Sequence, residues 1–180
     1  MRKLRQWSAI LSLLSVSALA HATQPGWIEN GKPAADNAAR AANGAFGAML
    51  VVTDDWEGFL KQWEQPMAGF DIPRLATIRK GRPLTSAVIF TGCKADSSGN
   101  CSVLGDFRVV DPNGKVYAEQ RGANIWRLPP PDPRLQLSVE SLGLSLDPPD
   151  TLGTYVLTAT ITDRVANKTL ELRTTFEARD

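Results

Sequence analysis

Beyond residue 46, apolar residues occur in short runs separated by turn-forming residues, a pattern typical of β-strands. The run FGAMLVVT at 46–53 predicts the first strand. Later runs recur about every ten residues, the spacing expected of short serial strands. They predict strands at 74–80, 86–92, 102–111, 115–120, 135–140, 154–162 and 169–178. Because no long helical segments separate them, a sandwich or barrel is favoured over a parallel α/β sheet.

One helical pattern interrupts this series. The run WEGFLKQWE at 56–64 places its three aromatic residues at helical spacing on one face. Thr53, Asp54 and Asp55 precede it, and these residue types cap helices by accepting hydrogen bonds from N–H groups of the first turn. We expect this helix to lie over an open end or an edge of the sheet with its aromatic face buried. A ligand-stacking platform formed by Trp56 and Trp63 is the alternative.

Residues 1–22 predict an export signal. A basic segment at 2–5 precedes an apolar run at 7–20, and Ala20-His21-Ala22 has the small-x-small pattern of a signal peptidase site. The apolar run is too short for a membrane anchor, which needs ~20 residues. We expect cleavage after Ala22 and a periplasmic or secreted mature protein without a transmembrane segment.

Removal of this signal changes the charge and the available chemistry. The full chain has 20 Lys and Arg against 19 Asp and Glu, and loss of three basic signal residues leaves 17 against 19, a net charge of −2. Such a chain lacks the basic character of nucleic-acid-binding proteins. His21, the only histidine, also leaves with the signal. A Ser-His-Asp triad, a Cys-His dyad and a His-ligated zinc site are therefore excluded in the mature chain.

Residues 23–45 combine Gly, Pro, Asn, Asp and Ala without a clean apolar period. This composition predicts a flexible N-terminal arm or linker, with a helical turn near Ala34–Ala42 as a variant. Trp27 docks either on the core or on a partner, and the sequence leaves open both this choice and whether the arm is ordered. The folded domain is expected at 46–180, with a strand and a short capping helix in 46–66.

The two cysteines, Cys93 and Cys101, are expected to be bridged in an oxidising compartment. Turn residues at 96–100 and flanking β-type runs predict a hairpin closed at its mouth by the disulfide. Closing so short a loop contributes about 2.6 kcal/mol on the chain-entropy model. C-x-x-C spacing is absent, which favours a structural bond over a redox pair. The loop lacks the acidic series of an EF-hand, so we interpret it as an ordinary turn.

The stretch Trp126-Arg127-Leu128-Pro129-Pro130-Pro131-Asp132-Pro133 is the most unusual in the chain. Successive prolines favour an extended polyproline II rod without free N–H groups. It is either a stiff connector between two sheets or a docking motif for an aromatic groove. Trp126, Arg127 and Trp27 are the candidate partner-binding residues, because Trp and Arg dominate interface hot spots.

Two segments carry a family resemblance. Asp150–Leu157 is similar to the approach to strand F of immunoglobulin-like domains, where a Tyr two residues before a core position ties its hydroxyl to the preceding turn. Tyr155 would be that residue. Phe107–Lys115 resembles the hairpin of macroglobulin-type and bacterial immunoglobulin-like modules. The resemblance covers 86–178. With the helix and arm, it implies a mostly β protein with a single immunoglobulin-like antiparallel β-sandwich. The cysteines are too close in sequence for the inter-sheet bond of antibody domains.

Such modules serve as spacers, adhesins, chaperones, inhibitors and carbohydrate binders, so their fold does not specify a function. We expect a non-enzymatic binding protein, with loops and strand edges contacting an unidentified protein partner in the cell envelope. An inhibitor or immunity-type protein is one form. The alternative is an envelope-assembly subunit that offers a sheet edge for strand addition. A long unprotected edge would favour the alternative, and blocked edges would favour the binding protein.

A carboxylate-based carbohydrate-active protein is the third hypothesis. Asp54, Asp55 and Glu57 cluster in sequence, and glycosidases need two carboxyl groups ~5–9.5 Å apart across a cleft. Acidic residues at a helix start also cap the helix and suit its dipole. Because no activated nucleophile or base pair is visible, we expect no catalytic, cofactor-binding or metal-binding residues. The oligomeric state is not determined by the sequence.

Overall fold

The computed structural model describes residues 27–29, 32–65, 72–131 and 135–180. The predicted signal peptide and its cleavage site lie outside these ranges. The strands are β1 Ile28–Glu29, β2 Lys32–Pro33, β3 Arg40–Asn43, β4 Phe46–Thr53, β5 Thr77–Arg79, β6 Pro83–Thr91, β7 Val103–Val110, β8 Val116–Trp126, β9 Gln136–Leu137, β10 Leu142–Ser145, β11 Gly153–Asp163 and β12 Lys168–Arg179. The helix, α1, spans Trp56–Glu64.

Two five-stranded sheets enclose one large apolar core, which confirms the predicted mostly β sandwich. Sheet I has the order β10-β6-β4-β3, and β9 also pairs with β6. Sheet II has the order β5-β12-β11-β7-β8. β5 runs parallel to β12, and the other pairs within these two sheets are antiparallel. A separate two-stranded ribbon joins β1 and β2.

β4 is buried along its whole length because both of its faces are covered. Successive side chains of a strand point to opposite faces. Leu50 and Val52 lie in the core between the sheets. Met49 and Val51 lie in a second apolar cluster on the outer side of sheet I, together with Phe59 of α1. Sheet I is therefore the middle layer of three.

The helix begins and ends where the sequence predicts, but its expected position is wrong. Phe59 packs with Val51 of β4 and Ile89 of β6, so α1 lies on the outer face of the central strands rather than at an end or edge. That face is apolar and needs a cover, which the aromatic side of α1 supplies. Of the three candidate capping residues, Asp55 is the one that caps the helix, since its Oδ1 accepts a hydrogen bond from Gly58 N at 2.9 Å.

The described part of the predicted arm folds onto sheet I. β3 pairs with β4, and Trp27 is buried in the outer cluster. The helical turn considered for Ala34–Ala42 is not formed. Instead, backbone hydrogen bonds between Asn37 and Arg40 close a tight turn that leads into β3. The arm also reaches sheet II, where Arg173 N donates to Ala38 O.

The predicted disulfide is confirmed, whereas the predicted hairpin is wrong. Cys93 and Cys101 are bonded with their Cα atoms 6.0 Å apart. The flanking strands belong to different sheets, β6 to sheet I and β7 to sheet II. Both edges of β6 are occupied, by β4 on one side and by β9 and β10 on the other, so β7 pairs elsewhere. The bond therefore closes the loop that carries the chain from β6 of sheet I to β7 of sheet II.

Candidate interaction surface

The chain from Arg127 to Glu140, here called the crossover, includes β9 and leads from β8 of sheet II to β10 of sheet I. Its described parts are 127–131 and 135–140. It contains the Pro-rich stretch that the sequence singled out. The Pro-rich segment thus connects the two sheets, as a spacer would. Whether it can also bind a partner depends on which of its side chains are exposed.

The second half of the crossover seals the side of the sandwich between β8 and β6. Ser138 N donates to Val88 O of sheet I at 2.8 Å, and Val139 N donates to Ile125 O of sheet II at 3.0 Å. The Ser138 hydroxyl accepts from Val88 N at 3.1 Å, so this buried residue is bonded to Val88 of β6 through both its backbone and its side chain. The backbone N–H groups of Ser138 and Val139 are used in these hydrogen bonds, whereas the Val139 side chain is exposed to solvent.

The first half is fixed by the core beneath it. Trp126 is half-buried, and its ring lies against Phe90 with centroids 5.7 Å apart. Its indole Nε1 donates to Pro129 O at 2.9 Å. Cys101 N donates to Leu128 O at 2.9 Å, which ties the segment to the disulfide. Trp126 therefore acts mainly as a support for the residues that follow it.

Exposed hydrophobic side chains are concentrated in the crossover. Among the large hydrophobic residues of the described ranges, five are exposed, and three of them are Leu128 at 54%, Leu135 at 38% and Val139 at 58%. The other two, Val116 and Leu152, flank the β7–β8 turn and the start of β11 instead. We define the crossover surface by its exposed side chains: Arg127, Leu128, Pro129, Pro130, Leu135 and Val139.

The three residues selected from the sequence lie in different environments. Arg127 is exposed in the crossover surface, and Trp126 lies half-buried beside it. Trp27 is 4% exposed, and its Nε1 donates to Ala41 O at 3.1 Å. A Cβ at Gly47 would come within 3.1 Å of the same ring, which shows how closely β4 approaches it. Trp27 is thus a packing residue of the outer cluster and lies apart from the other two.

The disulfide loop next to the crossover is an internally bonded turn. The Asp96 carboxylate accepts hydrogen bonds from the Ser98 hydroxyl and from the backbone N of Ser98 and Asn100. These donors, the Ser98 hydroxyl first, lower the pKa of Asp96 below its usual value. The loop is anchored by Asp163, a fully buried residue whose carboxylate accepts from Lys94 N at 2.8 Å. The Asp96 carboxylate therefore serves to hold the turn in shape.

The long edge of sheet II is irregular. β8 shows three register shifts against β7, and Gly122 in it has a φ of 66°. Gly122 N donates to an Asp106 carboxylate oxygen at 2.7 Å, so a side chain occupies one edge donor. Bulges and charged residues are devices that block pairing with a further strand. The other edge strands, β3, β5, β9 and β10, have two to four residues each.

The loop before β11 contains the tie that the resemblance implied. The Tyr155 hydroxyl donates to Thr151 O at 2.9 Å. Nearby, the Tyr117 hydroxyl lies 2.6 Å from an Asp150 carboxylate oxygen. Burial, followed by the Asp150 hydrogen bond, raises the pKa of Tyr117 far above its ordinary value. The same contact lowers the pKa of Asp150. Both phenols stay protonated at neutral pH and act as structural donors.

The clustered carboxylates at the start of α1 have a structural use. Asp55 is the helix cap, and Asp54 and Glu57 are exposed beside it. Within the described residues, no group of three or more His, Cys, Asp or Glu side chains is arranged to hold a metal ion. A shallow depression of about 300 Å³ lies on the outer face of sheet II. Its lining combines both charges and two threonines: Asp106, Phe107, Arg108, Glu119, Arg121, Thr158 and Thr160.

Across the described ranges, no helix combines the length and apolar character required to cross a bilayer. No family model and no curated protein matches the chain. Among solved structures, a family 123 glycoside hydrolase from Clostridium perfringens, analysed for glycolipid glycan hydrolysis, aligns with 74% of this chain at 12% identity and a TM-score of 0.37. The match spans 27% of that protein. A likeness this distant carries no argument about function.

Proposed function

We propose that this chain is an exported, non-enzymatic binding protein that contacts a protein partner of the cell envelope through the crossover surface. One observation carries the proposal: three of the five exposed large hydrophobic residues in the described ranges lie in this one crossover. Clustered apolar side chains on a surface mark interaction sites, whereas single ones are ordinary. The exposed Arg127 adds a residue type that is enriched at interfaces.

Rigidity supports the same conclusion. The crossover is fixed to both sheets by backbone hydrogen bonds of Ser138 and Val139, and to the disulfide loop through Leu128 O. A surface that is already ordered loses less conformational entropy when it binds. The seal formed by Ser138 and Val139 therefore prepares the adjacent side chains for contact.

Strand addition, the alternative mode, receives less support. The bulges of β8 and the shortness of β3, β5, β9 and β10 leave little regular edge on those strands. β5 covers only Glu177–Arg179 of the outer edge of β12, but the arm approaches the rest of that edge, where Arg173 N donates to Ala38 O. Side-chain contact at the crossover needs no free edge. For this reason we favour a binding or inhibitory protein over an envelope-assembly subunit.

Export is supported by the signal-like sequence of residues 1–22 and by the disulfide between Cys93 and Cys101, since such bonds persist in oxidising compartments. Periplasmic fractionation followed by N-terminal sequencing tests this part. The expected mature N-terminus is Thr23. Recovery of the full-length chain in the cytosol with free thiols would contradict it.

The binding proposal is tested by co-purification from periplasmic extract with surface variants. Leu128→Asp and Val139→Asp place a charge in the crossover surface. Val116→Asp and Leu152→Asp are matched controls, because these residues are similarly exposed but lie elsewhere. We expect the first pair to reduce recovery of the partner at least about tenfold, as a loss of ~1.4 kcal/mol would. The control pair should leave recovery unchanged.

The free energy of unfolding of all four variants should lie within about 0.5 kcal/mol of the wild-type value, because substitutions of exposed residues rarely change it by more. Two results would overturn the proposal. One is the absence of any partner for the wild-type protein. The other is an equal effect of crossover and control variants on recovery.

A further inference from the structure

The loops that connect the strands of the two sheets lie at two ends of the sandwich. At one end are the β3–β4 turn at 44–45, the disulfide loop 92–102, the start of the crossover at 127–131 and the turn 164–167 between β11 and β12. We call these segments the disulfide end. The described loops at the opposite end are 54–55, 72–76, 80–82, 111–115 and 146–152, together with Asp180.

The two ends carry opposite net charges. At the disulfide end, Lys94, Arg127 and Arg164 stand against Asp96, which gives a net charge of +2. The loops of the opposite end contain six acidic and four basic residues, a net charge of −2. The chain from residue 23 onward also has a net charge of −2. The positive end is therefore a local feature that the overall composition does not account for.

The two arginines of the disulfide end follow neighbouring positions of one cross-strand row. Val103 of β7 pairs with Trp126 of β8 on one side and with Asp163 of β11 on the other. Arg127 and Arg164 come directly after these two partners in the chain. Adjacent strands are about 4.8 Å apart, so the two arginines begin about 10 Å from each other at the same end of sheet II.

Lys94 lies beside the same row. Its backbone N donates to an Asp163 carboxylate oxygen at 2.8 Å, and the bond between Cys93 and Cys101 ties this part of the loop to the start of β7. Cys101 N donates in turn to Leu128 O at 2.9 Å. One bonded framework therefore carries the lysine and both arginines next to the exposed side chain of Leu128.

The three basic side chains have no carboxylate partner of their own. Lys94, Arg127 and Arg164 are exposed, and within the described ranges their side chains form no ion pair or hydrogen bond. The carboxylates near them are engaged by backbone N–H groups. Asp96 accepts from its own turn, and Asp163 is fully buried and accepts from three backbone N–H groups. The positive charge at this end is therefore available to another molecule.

We infer that the disulfide end, together with the adjoining crossover surface, docks on an acidic surface of the protein partner. This inference rests on the proposed function and specifies the charge of the partner. Complementary charges accelerate encounter and select between partners, since like charges repel the wrong ones. Because the opposite end is negative, the charge distribution also turns the disulfide end toward a negatively charged partner.

An acidic protein surface suits this end better than a lipid surface does. Segments that attach to anionic membranes typically have about four to eight clustered basic residues or a large apolar area. The disulfide end has three basic residues and, among its large hydrophobic side chains, one that is exposed, Leu128. A protein can place a few carboxylates opposite three cations and an apolar side chain opposite the leucine. Lipid binding is the competing outcome in the test.

The test reverses charge at the two ends by the same amount. Lys94→Glu/Arg164→Glu changes the disulfide end, and Arg82→Glu/Lys115→Glu is the matched control at the opposite end. All four residues are exposed, and both variants change the net charge of the protein equally. Arg127 is left in place, so the crossover surface stays intact. The probes are fluorescently labelled decaglutamate and the protein that the wild type recovers from periplasmic extract.

At about 20 mM salt, we expect Lys94→Glu/Arg164→Glu to weaken decaglutamate binding and to lower partner recovery at least about fivefold, and the control to change both less than about twofold. At about 300 mM salt, the two variants should differ less than about twofold, because salt screens exposed charges. The neutral variant Lys94→Gln/Arg164→Gln should lie between the wild type and the Glu variant. Thermal unfolding checks that every variant is folded.

Each other result counts against the inference in a distinguishable way. Equal effects of the two Glu variants, a loss that persists at high salt, or a wild type that does not bind decaglutamate at low salt would overturn it. The proposed function would still stand if Leu128→Asp reduced partner recovery. Sedimentation of the wild type, but not of Lys94→Glu/Arg164→Glu, with phosphatidylglycerol vesicles would assign the disulfide end to lipid instead. If the wild type recovers no protein, the proposed function fails together with the inference.

Discussion

The outer faces of the two sheets differ in what covers them. On sheet I, Met49, Val51 and Ile89 are buried beneath α1 and Trp27. On sheet II, the corresponding face of β11 carries Thr158 and Thr160, which are partly exposed and make hydrogen bonds along the surface. Sheet I is thus the middle layer of the molecule, and sheet II is an outer layer with one face toward solvent.

The sequences of two strands explain the difference. β4 reads FGAMLVVT, a continuous apolar run that leaves both faces needing burial. β11 reads GTYVLTATITD, and its burial alternates between buried and intermediate positions. Such alternation is typical of a strand with one face in the core and one toward water. A short aromatic helix after β4 is therefore needed on one side of the sandwich only.

The largest expected effect comes from removing the center of the covered face. Phe59 is 3% exposed and stacks between Trp56 and Trp63, with ring centroids 5.3 and 6.2 Å away. Phe59→Ala should lower the free energy of unfolding by about 3–5 kcal/mol, through lost burial and the cavity left behind. Urea unfolding followed by tryptophan fluorescence measures it. A loss below about 1 kcal/mol would show that α1 contributes little to the middle layer.

A smaller effect is expected from uncapping the same helix. Asp55→Ala removes the acceptor for Gly58 N and should cost about 1 kcal/mol. Asp54→Ala is the matched control, since Asp54 is an exposed neighbouring carboxylate outside the cap. Thermal unfolding of both variants measures the difference. Equal losses of stability in the two variants would contradict the capping role of Asp55.

The smallest effect is expected on the open face. Thr160→Ala deletes a surface contact with Glu171 that is 3.2 Å long, and stability should change by no more than about 0.5 kcal/mol. The same urea titration provides the measurement. A loss well above that figure in the isolated protein would mean that this face is covered in solution, for example by a second copy of the chain.

How much the sequence predicts depends on whether a feature is local. The bounds of β4 and α1 follow from one apolar run and one aromatic period, and both were predicted to the residue. The hydrogen bond from Tyr155 to Thr151, four residues away, is equally local. In contrast, the pairing of β6 with β4 and β10 depends on distant strands, so the predicted hairpin across the disulfide is wrong.

Weak patterns were also misread at the sheet edges. β10, with the sequence LGLS, was not predicted because four residues carry too little signal. β8 continues to Trp126 through the polar run AEQRGAN, whose bulges and charges hide the strand. Edge strands are the places where natural sequences depart from regular alternation.

The candidate surface was predicted in part. The Pro-rich segment drew attention through composition, and Arg127 is exposed there. Leu135 and Val139 were not singled out, because their exposure results from backbone bonds that residues 138 and 139 make to Val88 and Ile125. No signal local to these residues could have indicated that.

Asp163 has a consequence for how the chain matures. Its carboxylate holds Lys94 N, directly after Cys93, while Cys101 N is held by Leu128 O. Each cysteine is therefore anchored by a contact that does not require sulfur–sulfur bonding. Folding alone should bring the two thiols together at a high effective concentration. We therefore expect the disulfide to form in a chain that has already folded, so that it stabilises the native arrangement but is not needed to reach it.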